Sequence, residues 1–463
     1  MKMLPSHVKS LRDRLAGASN CQERYLYGAA LSVRLADVQA GTSASSWLSS
    51  LSGRSVLIAI RDQVAAALAL IELDGVARRI ILCPADLPYE HFPSVIASAE
   101  VDAIVSDNDD LKRRGIGAEL HVSPTCVPAQ HLSSENQATE WVILTSGTTG
   151  TPKLLIHSLS GLTAAIKVEA NSASDARVVW GTFYDIRRYG GLQIFLRAML
   201  GNGSLVLSNA DEPLADFLVR LGTHGVTHLS GTPSHWRRAL MSPLAHEIKP
   251  RYVRLSGEIA DQGILDSLRS FYPQAQIGHA YASTEAGVAF EVADGLEGFP
   301  ANILSTGGRV ELKVEDGSLR IRSAGIAVGY LNGETSSIAD TEGFVDTGDI
   351  VQLRDARYYF LGRKSGVINV GGLKVHPEEV EAAINRHPKV RASLVRARKS
   401  PITGSIVVAD VLLKDGTDQD TALRQEIVQF CQERLARHKV PTAIQFVPNL
   451  NVSATGKLTR HNA

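Results

Sequence analysis

The chain has 463 residues, too many for one ordinary core, and 44% hydrophobic with 21% charged residues is the make-up of a globular protein of two or three units. Lysine plus arginine and aspartate plus glutamate each total 48, which excludes a global field suited to nucleic acid or to an anionic membrane surface. Cys21, Cys83, Cys126 and Cys431 show neither metal-ligand nor disulfide spacing, and the first residues lack the apolar run of a signal peptide, so reduced thiols and a cytoplasmic location are expected.

Residues 1–52 are weakly patterned, mixing helix-like segments with a Ser-rich loop over 41–52. From Arg54 the texture changes. Residues 55–60 read as a buried strand, 63–74 as a helix, 79–83 as a strand, 92–99 as a helix and 102–105 as a strand. The richest apolar stretch, 63–71, is much too short to span a bilayer. After a strand at 141–145 the alternation resumes with strands at 204–207 and 226–229 around a helix near 214–222. Such alternation predicts an α/β fold of layered subdomains with a largely parallel sheet.

Near Ile303 the pattern shifts to short strands at 309–314, 318–321 and 358–361, with Asp316-Gly317 and Asn332-Gly333 marking tight turns, as in a β-rich subdomain. The last hundred residues alternate again: helix 377–387, strands 392–397 and 405–413, helix 420–437, strand 443–447. The change of character near Gly362-Arg363-Lys364-Ser365 sets the expected boundary between a large N-terminal unit, 1–362, and a small α+β C-terminal unit, 363–463.

Five short patterns carry chemistry. Thr145-Ser146-Gly147-Thr148-Thr149-Gly150-Thr151-Pro152-Lys153 follows an apolar strand and combines hydroxyls, two glycines and a lysine. Its backbone N–H groups can turn inward on phosphate oxygens, and Lys153 adds a mobile positive charge. It is not the G-x-x-x-x-G-K-[ST] phosphate loop, since Lys153 does not directly follow the second glycine. The plain alternative is a surface turn.

Tyr281-Ala282-Ser283-Thr284-Glu285 offers an aromatic ring that could stack on a base and a carboxylate that could hold Mg²⁺, or is simply a strand-end loop. In Asp346-Thr347-Gly348-Asp349 the last aspartate can accept two ribose hydroxyls, although Thr-Gly-Asp is a common turn. Gly362-Arg363-Lys364, followed by the glycine pair Gly371-Gly372 and a helix with Pro377 in its first turn, reads alone as a solvated charged turn. Lys457 in Ser453-Ala454-Thr455-Gly456-Lys457 reads alone as a solvated terminal lysine.

Order and spacing change the weight of these patterns. Together, from about Arg54 to Arg460, they resemble the acyl-adenylate-forming superfamily of acyl- and aryl-CoA synthetases, nonribosomal peptide adenylation domains and firefly luciferase. The resemblance implies ATP and Mg²⁺ as cofactors, with residues 145–153 around the β- and γ-phosphates. It puts Tyr281 near adenine, Thr284 on the α-phosphate, Glu285 on the metal, and Asp349 with Arg363 on the ribose. Lys457 would reach the bond between the α- and β-phosphates, Lys364 would be the hinge of a mobile C-terminal lid, and the Gly371-Gly372 loop would replace Lys457 for thioester formation.

The acyl pocket falls by the same resemblance on Tyr184, Arg188, Tyr189, Gly257 and Glu258. Here the sequence departs from the family: Phe183 to Gly191 lacks the frequent Phe-His-x-x-Gly arrangement and a clear Phe-Asp signature for an α-amino group. Arg188 either pairs with a polar or acidic acyl substituent or points outward. The implied partners are a small carboxylic acid and a thiol, either CoA or the phosphopantetheine arm of a carrier protein. Nucleic acid and a membrane span are not expected, and no oligomeric state is implied. A stand-alone enzyme loading a carrier protein, a non-catalytic nucleotide-binding paralogue and a luciferase-like oxidase are the competing readings.

Overall fold

The computed structural model describes residues 9–16, 21–42, 48–108, 110–111, 119–120, 127–128, 137–145, 152–166, 177–305, 307–331, 337–400 and 404–450. The first α/β repeat supplies strands β1 (Ser55–Ala59), β2 (Arg79–Leu82), β3 (Ala103–Ser106), β4 (Glu140–Thr145) and β5 (Lys153–Ser158). With Gly329–Tyr330 and Glu119–Leu120 they form a seven-stranded sheet, in which β4, β2, β1 and β3 run parallel and β5 returns antiparallel to β4. The parallel strands β1 and β2 are buried along their whole length, as both-face coverage requires.

The second repeat supplies β6 (Val179–Thr182), β7 (Ser204–Leu207), β8 (His228–Gly231), β9 (Tyr252–Ser256), β10 (Gln276–Ser283) and β11 (Gly287–Val292). They form an eight-stranded sheet in the order β11, β10, β9, β8, β6, β7, Tyr25–Tyr27, Ser32–Arg34. The neighbours from β10 across to Tyr25–Tyr27 are parallel. The strand expected at 226–229 is observed two residues later. The weakly patterned N-terminal region has a definite role: Leu26 pairs with Leu205, adding a strand to this sheet.

Between the two sheets lies α1 (Gln63–Leu73), every residue of which is buried. A helix apolar all round belongs in an interior, and Asp62 caps it by accepting from the Ala65 N–H at 2.8 Å. Its one acid, Glu72, is buried but paired with Arg12 at 2.6 Å. Helix α2 (Tyr189–Leu200) shares this layer, while α3 (Pro233–Ala239) and α4 (Gln262–Phe271) pack on the opposite face of the eight-stranded sheet.

The β-rich portion is a five-stranded antiparallel sheet that includes β12 (Val345–Arg354) and β13 (Arg357–Arg363). Asp316-Gly317 forms the expected turn, with Gly317 at φ +74°, whereas Asn332-Gly333 lies outside the described residues. Beyond β13, α5 (Pro377–Asn385) packs with a three-stranded sheet around a separate apolar cluster. It touches the larger body where Asn385 donates to Asp261 at 3.1 Å and Arg386 pairs with Glu297. The fold is thus mixed α/β, with a large N-terminal part and a small C-terminal one. Among the described residues no helix is long and apolar enough to cross a membrane.

Candidate active site

In open α/β sheets the crevice beyond the carboxyl ends of parallel strands is where ligands bind. The segments leaving β6, β9 and β10 carry the predicted acyl-pocket residues and part of the nucleotide set, so sheet order sets their neighbours: Tyr184 after β6, Gly257 and Glu258 after β9, Tyr281 to Glu285 at the end of β10.

At the β10 end, the Tyr281 hydroxyl donates to the Asp349 carboxylate, and the Arg363 Nε donates to the same carboxylate at 3.1 Å. Three residues from separate stretches of sequence therefore meet. The register of β12 with β13 sets Asp349 opposite Arg363. The Tyr281 ring is stacked on Phe360 at 5.1 Å and on Phe290 at 5.7 Å. Burial, and next the charge of Asp349, push the Tyr281 phenol well above its ordinary value, while Asp349 holds the Arg363 guanidinium raised.

Thr284 and Glu285 sit half-buried in the turn between β10 and β11, whose path is fixed by the Ala327 N–H donating to the Glu285 carbonyl at 2.9 Å. Gly287 follows at φ +83°, and a side chain there would meet the Gly325 carbonyl oxygen at 2.9 Å.

Thr145 and Lys153 are paired residues of β4 and β5, so residues between them connect a hairpin, and the Lys153 ammonium lies 5.3 Å from the Tyr330 ring centroid. Ser146, Gly147, Thr148, Thr149 and Gly150 lie outside the described residues, as does Lys457. Lys364 begins a single helical turn directly after β13. Gly371 (φ +57°) and Gly372 (φ +88°) form an exposed hairpin tip, where the Gly372 N–H donates to Asn369 at 2.9 Å.

The β6–β9 end has a different character. The Tyr184 hydroxyl crosses from β6 to β9 and donates to the Ser256 carbonyl at 2.7 Å. Burial raises the phenols of both Tyr184 and Tyr189. Glu258 is engaged rather than free, accepting from the Ser234 N–H at 2.8 Å and hydroxyl at 2.9 Å. Gly257 takes φ +84° where the chain leaves β9.

Arg188 stands just before α2, with its guanidinium paired to Asp86. Its neighbour Arg187 is the deeply buried one, bound to Asp185 at 2.7 Å and to the Ile60 carbonyl beyond β1. The close packing of the first turn of α2 on this segment depends on Gly191, whose added Cβ would meet the Asp185 oxygen at 2.1 Å.

Two histidines missed by the sequence reading stand in this region. His157 on β5 is 1% exposed, with its ring 5.8 Å from that of Tyr189. Neither ring nitrogen completes a hydrogen bond with a described residue, and burial pushes its pKa down to about 4, opposed in part by the nearby Thr284 backbone. The only hint in the sequence was a polar residue in an apolar strand.

His235 sits in the first turn of α3, and its signal was a capping box: the Thr232 hydroxyl accepts from the His235 N–H at 3.0 Å, while His235 Nδ1 accepts from the Thr232 N–H at 3.2 Å. Burial, with a smaller contribution from Arg238, lowers His235 to about 4. Among the described residues no group of three or more His, Cys, Asp or Glu side chains is arranged to hold a metal ion by itself.

A family model described as AMP-binding enzyme matches residues 52–331, and one described as AMP-binding enzyme C-terminal domain matches 379–457. The chain is 24% identical to a 2-succinylbenzoate–CoA ligase of Bacillus velezensis, over 85% of this chain and 79% of the relative. It is 25% identical to the human mitochondrial acyl-coenzyme A synthetase ACSM2A, over 88% of this chain and 73% of the relative. Among solved structures, the anthranilate CoA ligase AuaEII in complex with anthranoyl-AMP superposes with a TM-score of 0.82 at 17% identity, covering 98% of this chain and 96% of that one.

Proposed function

The chain belongs to the AMP-binding enzyme family, and from that premise we propose that it is an ATP-dependent, AMP-forming acid–thiol ligase acting on a small carboxylic acid. The observation that carries this reading is the meeting of Tyr281, Asp349 and Arg363 at one end of a sheet edge whose other end is walled by Tyr184, Phe183 and His235. A carboxylate flanked by a donor and a cation suits ribose hydroxyls, and a stacked tyrosine suits a base. The aromatic wall suits the body of an acid.

The chemistry follows from that layout. A carboxylate is a poor acyl donor because its leaving group would be oxide. When its oxygen attacks the α-phosphorus, the bond to the bridging oxygen breaks, pyrophosphate leaves, and a mixed anhydride with AMP remains. Negative charge builds on the departing pyrophosphate, so the cations Lys457 and Lys153 and the N–H groups of the 145–153 loop favour the transition state. Thr284 would donate to the α-phosphate. Glu285 fits Mg²⁺, which binds through one or two carboxylates with phosphates completing its shell, and the ion would neutralise the pyrophosphate oxygens.

A thiolate then attacks the acyl carbon and AMP leaves. In this reading residues 363–463 move as a lid on Lys364, exchanging Lys457 for the Gly371-Gly372 loop between the two steps. The acyl pocket comprises Tyr184, Tyr189 and Gly257, with Glu258 holding the Ser234 segment and Arg188 held at its edge by Asp86. The names of the relatives favour CoA as acceptor over the phosphopantetheine of a carrier protein. A cytoplasmic location belongs to the same reading.

A screen of pyrophosphate release over aryl, aliphatic and dicarboxylic acids with ATP and Mg²⁺ tests it, followed by mass analysis after adding CoA. At least one acid class is expected to release pyrophosphate and to yield an acyl-CoA. Release with none would remove the ligase reading, and release without an acyl-CoA would remove CoA as acceptor.

A further inference from the structure

His235 occupies a place that the motifs do not predict. Strand β8 lies between β6 and β9 in the sheet, so the segment leaving it rises between the Tyr184 and Gly257 segments. The His235 ring is stacked on Phe183 at 5.6 Å, with the rings inclined by 23°, and meets Tyr184 edge-on at 5.7 Å. Next to it, Ser234 is fastened to Glu258. The imidazole keeps accessible surface although it is deep enough for burial to lower its pKa to about 4. Depth with access at the carboxyl edge of the sheet is where open α/β folds hold their ligands.

The capping box fixes the tautomer. Nδ1 accepts the Thr232 N–H at 3.2 Å and lies 3.2 Å from the Thr232 hydroxyl, which is able to donate to it as well, so in the neutral ring that satisfies both contacts the proton is on Nε2. No hydrogen bond joins Nε2 to another described residue, and Nε2 is not among the solvent-sealed orphan atoms. A fixed, neutral, outward N–H donor in an otherwise aromatic wall discriminates by hydrogen bonding and not by charge.

We propose that His235 is a specificity-determining residue whose Nε2–H donates to a neutral acceptor on the acid, such as a carbonyl, ether or nitro oxygen away from the reacting carboxylate. The inference rests on the acid-activation reading above and names the class of acid within it. A second carboxylate could accept from the same N–H but would lose its hydration beside a cation, Arg188, that Asp86 already neutralises, whereas a substrate without an acceptor would leave the N–H unpaired in an enclosed wall. Sites built to hydrogen-bond a substrate group reject analogues lacking it more strongly than apolar pockets reject a missing methylene.

The test uses isosteric pairs of acids that differ in the acceptor alone: 3- and 4-acetylbenzoate against 3- and 4-isopropylbenzoate, and 4-oxopentanoate against 4-methylpentanoate. For the full chain, kcat/KM for pyrophosphate release is expected to favour the oxo acid of at least one pair by about tenfold or more. His235→Phe keeps the ring stack and removes the donor, and should bring that ratio to within about twofold. His235→Gln places the usual capping-box residue at this position and retains an amide donor, so it should restore part of the preference. KM for ATP, measured with the isopropyl acid, should stay near the wild-type value in both variants and so reports on folding. Equal use of both members of every pair by the wild type overturns the proposal, as does a preference that survives in His235→Phe. Pyrophosphate release with no acid at all overturns the ligase reading itself and the inference with it.

Discussion

At the β10 end of the eight-stranded sheet the functional side chains are charged and already paired, Asp349 with Arg363 and Tyr281. At the β6–β9 end they are aromatic and neutral, and the charged groups nearby are spent on the protein itself, Glu258 on Ser234 and Arg188 on Asp86. Two parallel strands, β9 and β8, lie between β10 and β6. In the proposed reading the β10 end takes a triphosphate, whose charge is the same whatever the acid, so that half can be made of fixed ion pairs and a short list of residues. The acid varies, and the half proposed for it would be made of shape, ring stacking and one or two neutral donors. Substitutions at the two ends should therefore separate cleanly into effects on ATP and effects on the acid.

The largest effect expected is on the step that joins the two ends. Lys457→Ala should lower adenylation by about 10²–10³, the usual loss when one preorganised donor to developing charge is removed. Conversion of a supplied acyl-adenylate to thioester should persist. ATP–pyrophosphate exchange measures the first step and acyl-CoA formation the second. Equal loss of both would mean that Lys457 does not divide them.

Next in size is a pH effect set by the two buried histidines. Unfolded histidine titrates near 6.5, and burial lowers His157 and His235 to about 4 in the fold. Between those values the unfolded chain binds more protons than the native one, so stability rises with pH there. The contribution is fully present above about pH 6.5 and is lost as pH falls towards 4, on the order of 3 kcal/mol for each ring. Urea midpoints at pH 7.5 and 5 should move apart in the wild type and less so in His157→Phe or His235→Phe. An unchanged pH dependence in both variants would show that these rings do not set it.

The two ends also differ in how much of them could be read from the sequence. Tyr281, Asp349 and Arg363 belong to short patterns in a fixed order, and their chemistry survives any small error in strand boundaries. The layered α/β fold was legible for a similar reason, since runs such as 55–60 and 141–144 are buried on both faces. The acyl end is set by offsets of a single residue. Arg187 is buried and Arg188 is held by Asp86, a distinction that no periodicity reveals in a turn. His235 looked like any helix residue because its role depends on which neighbours β6 and β9 bring to β8. The strand Tyr25–Tyr27 is too short for alternation to register, and its pairing with β7 and with Ser32–Arg34 defines it.

Asp349→Asn should then sharpen the nucleotide side of the comparison. The amide keeps the shape but loses the charge that Arg363 and Tyr281 share. Hydrogen bonds to charged groups are worth about 1.5–3 kcal/mol, so KM for ATP should rise about 10- to 100-fold with little change in KM for the acid. A matching rise in the acid KM would show that the two ends are coupled through the sheet.

The smallest effect is the most discriminating, because it falls on the neutral end without altering charge. Tyr184→Phe removes the hydroxyl that donates to the Ser256 carbonyl at 2.7 Å while leaving the ring against His235. The carbonyl keeps a neighbour in the Ser256 hydroxyl, which lies 3.0 Å from the phenol oxygen and is able to rotate, so the cost should be that of one neutral hydrogen bond, about 1 kcal/mol. Because that bond ties the β6 segment to β9, where Gly257 turns away, its loss should loosen the wall proposed for the acid and not the β10 end. We expect KM for the acid to rise by about fivefold and KM for ATP to stay the same. A shift in the ATP constant of similar size would place Tyr184 between the two substrates, and the sheet edge would then have to be described as one continuous site.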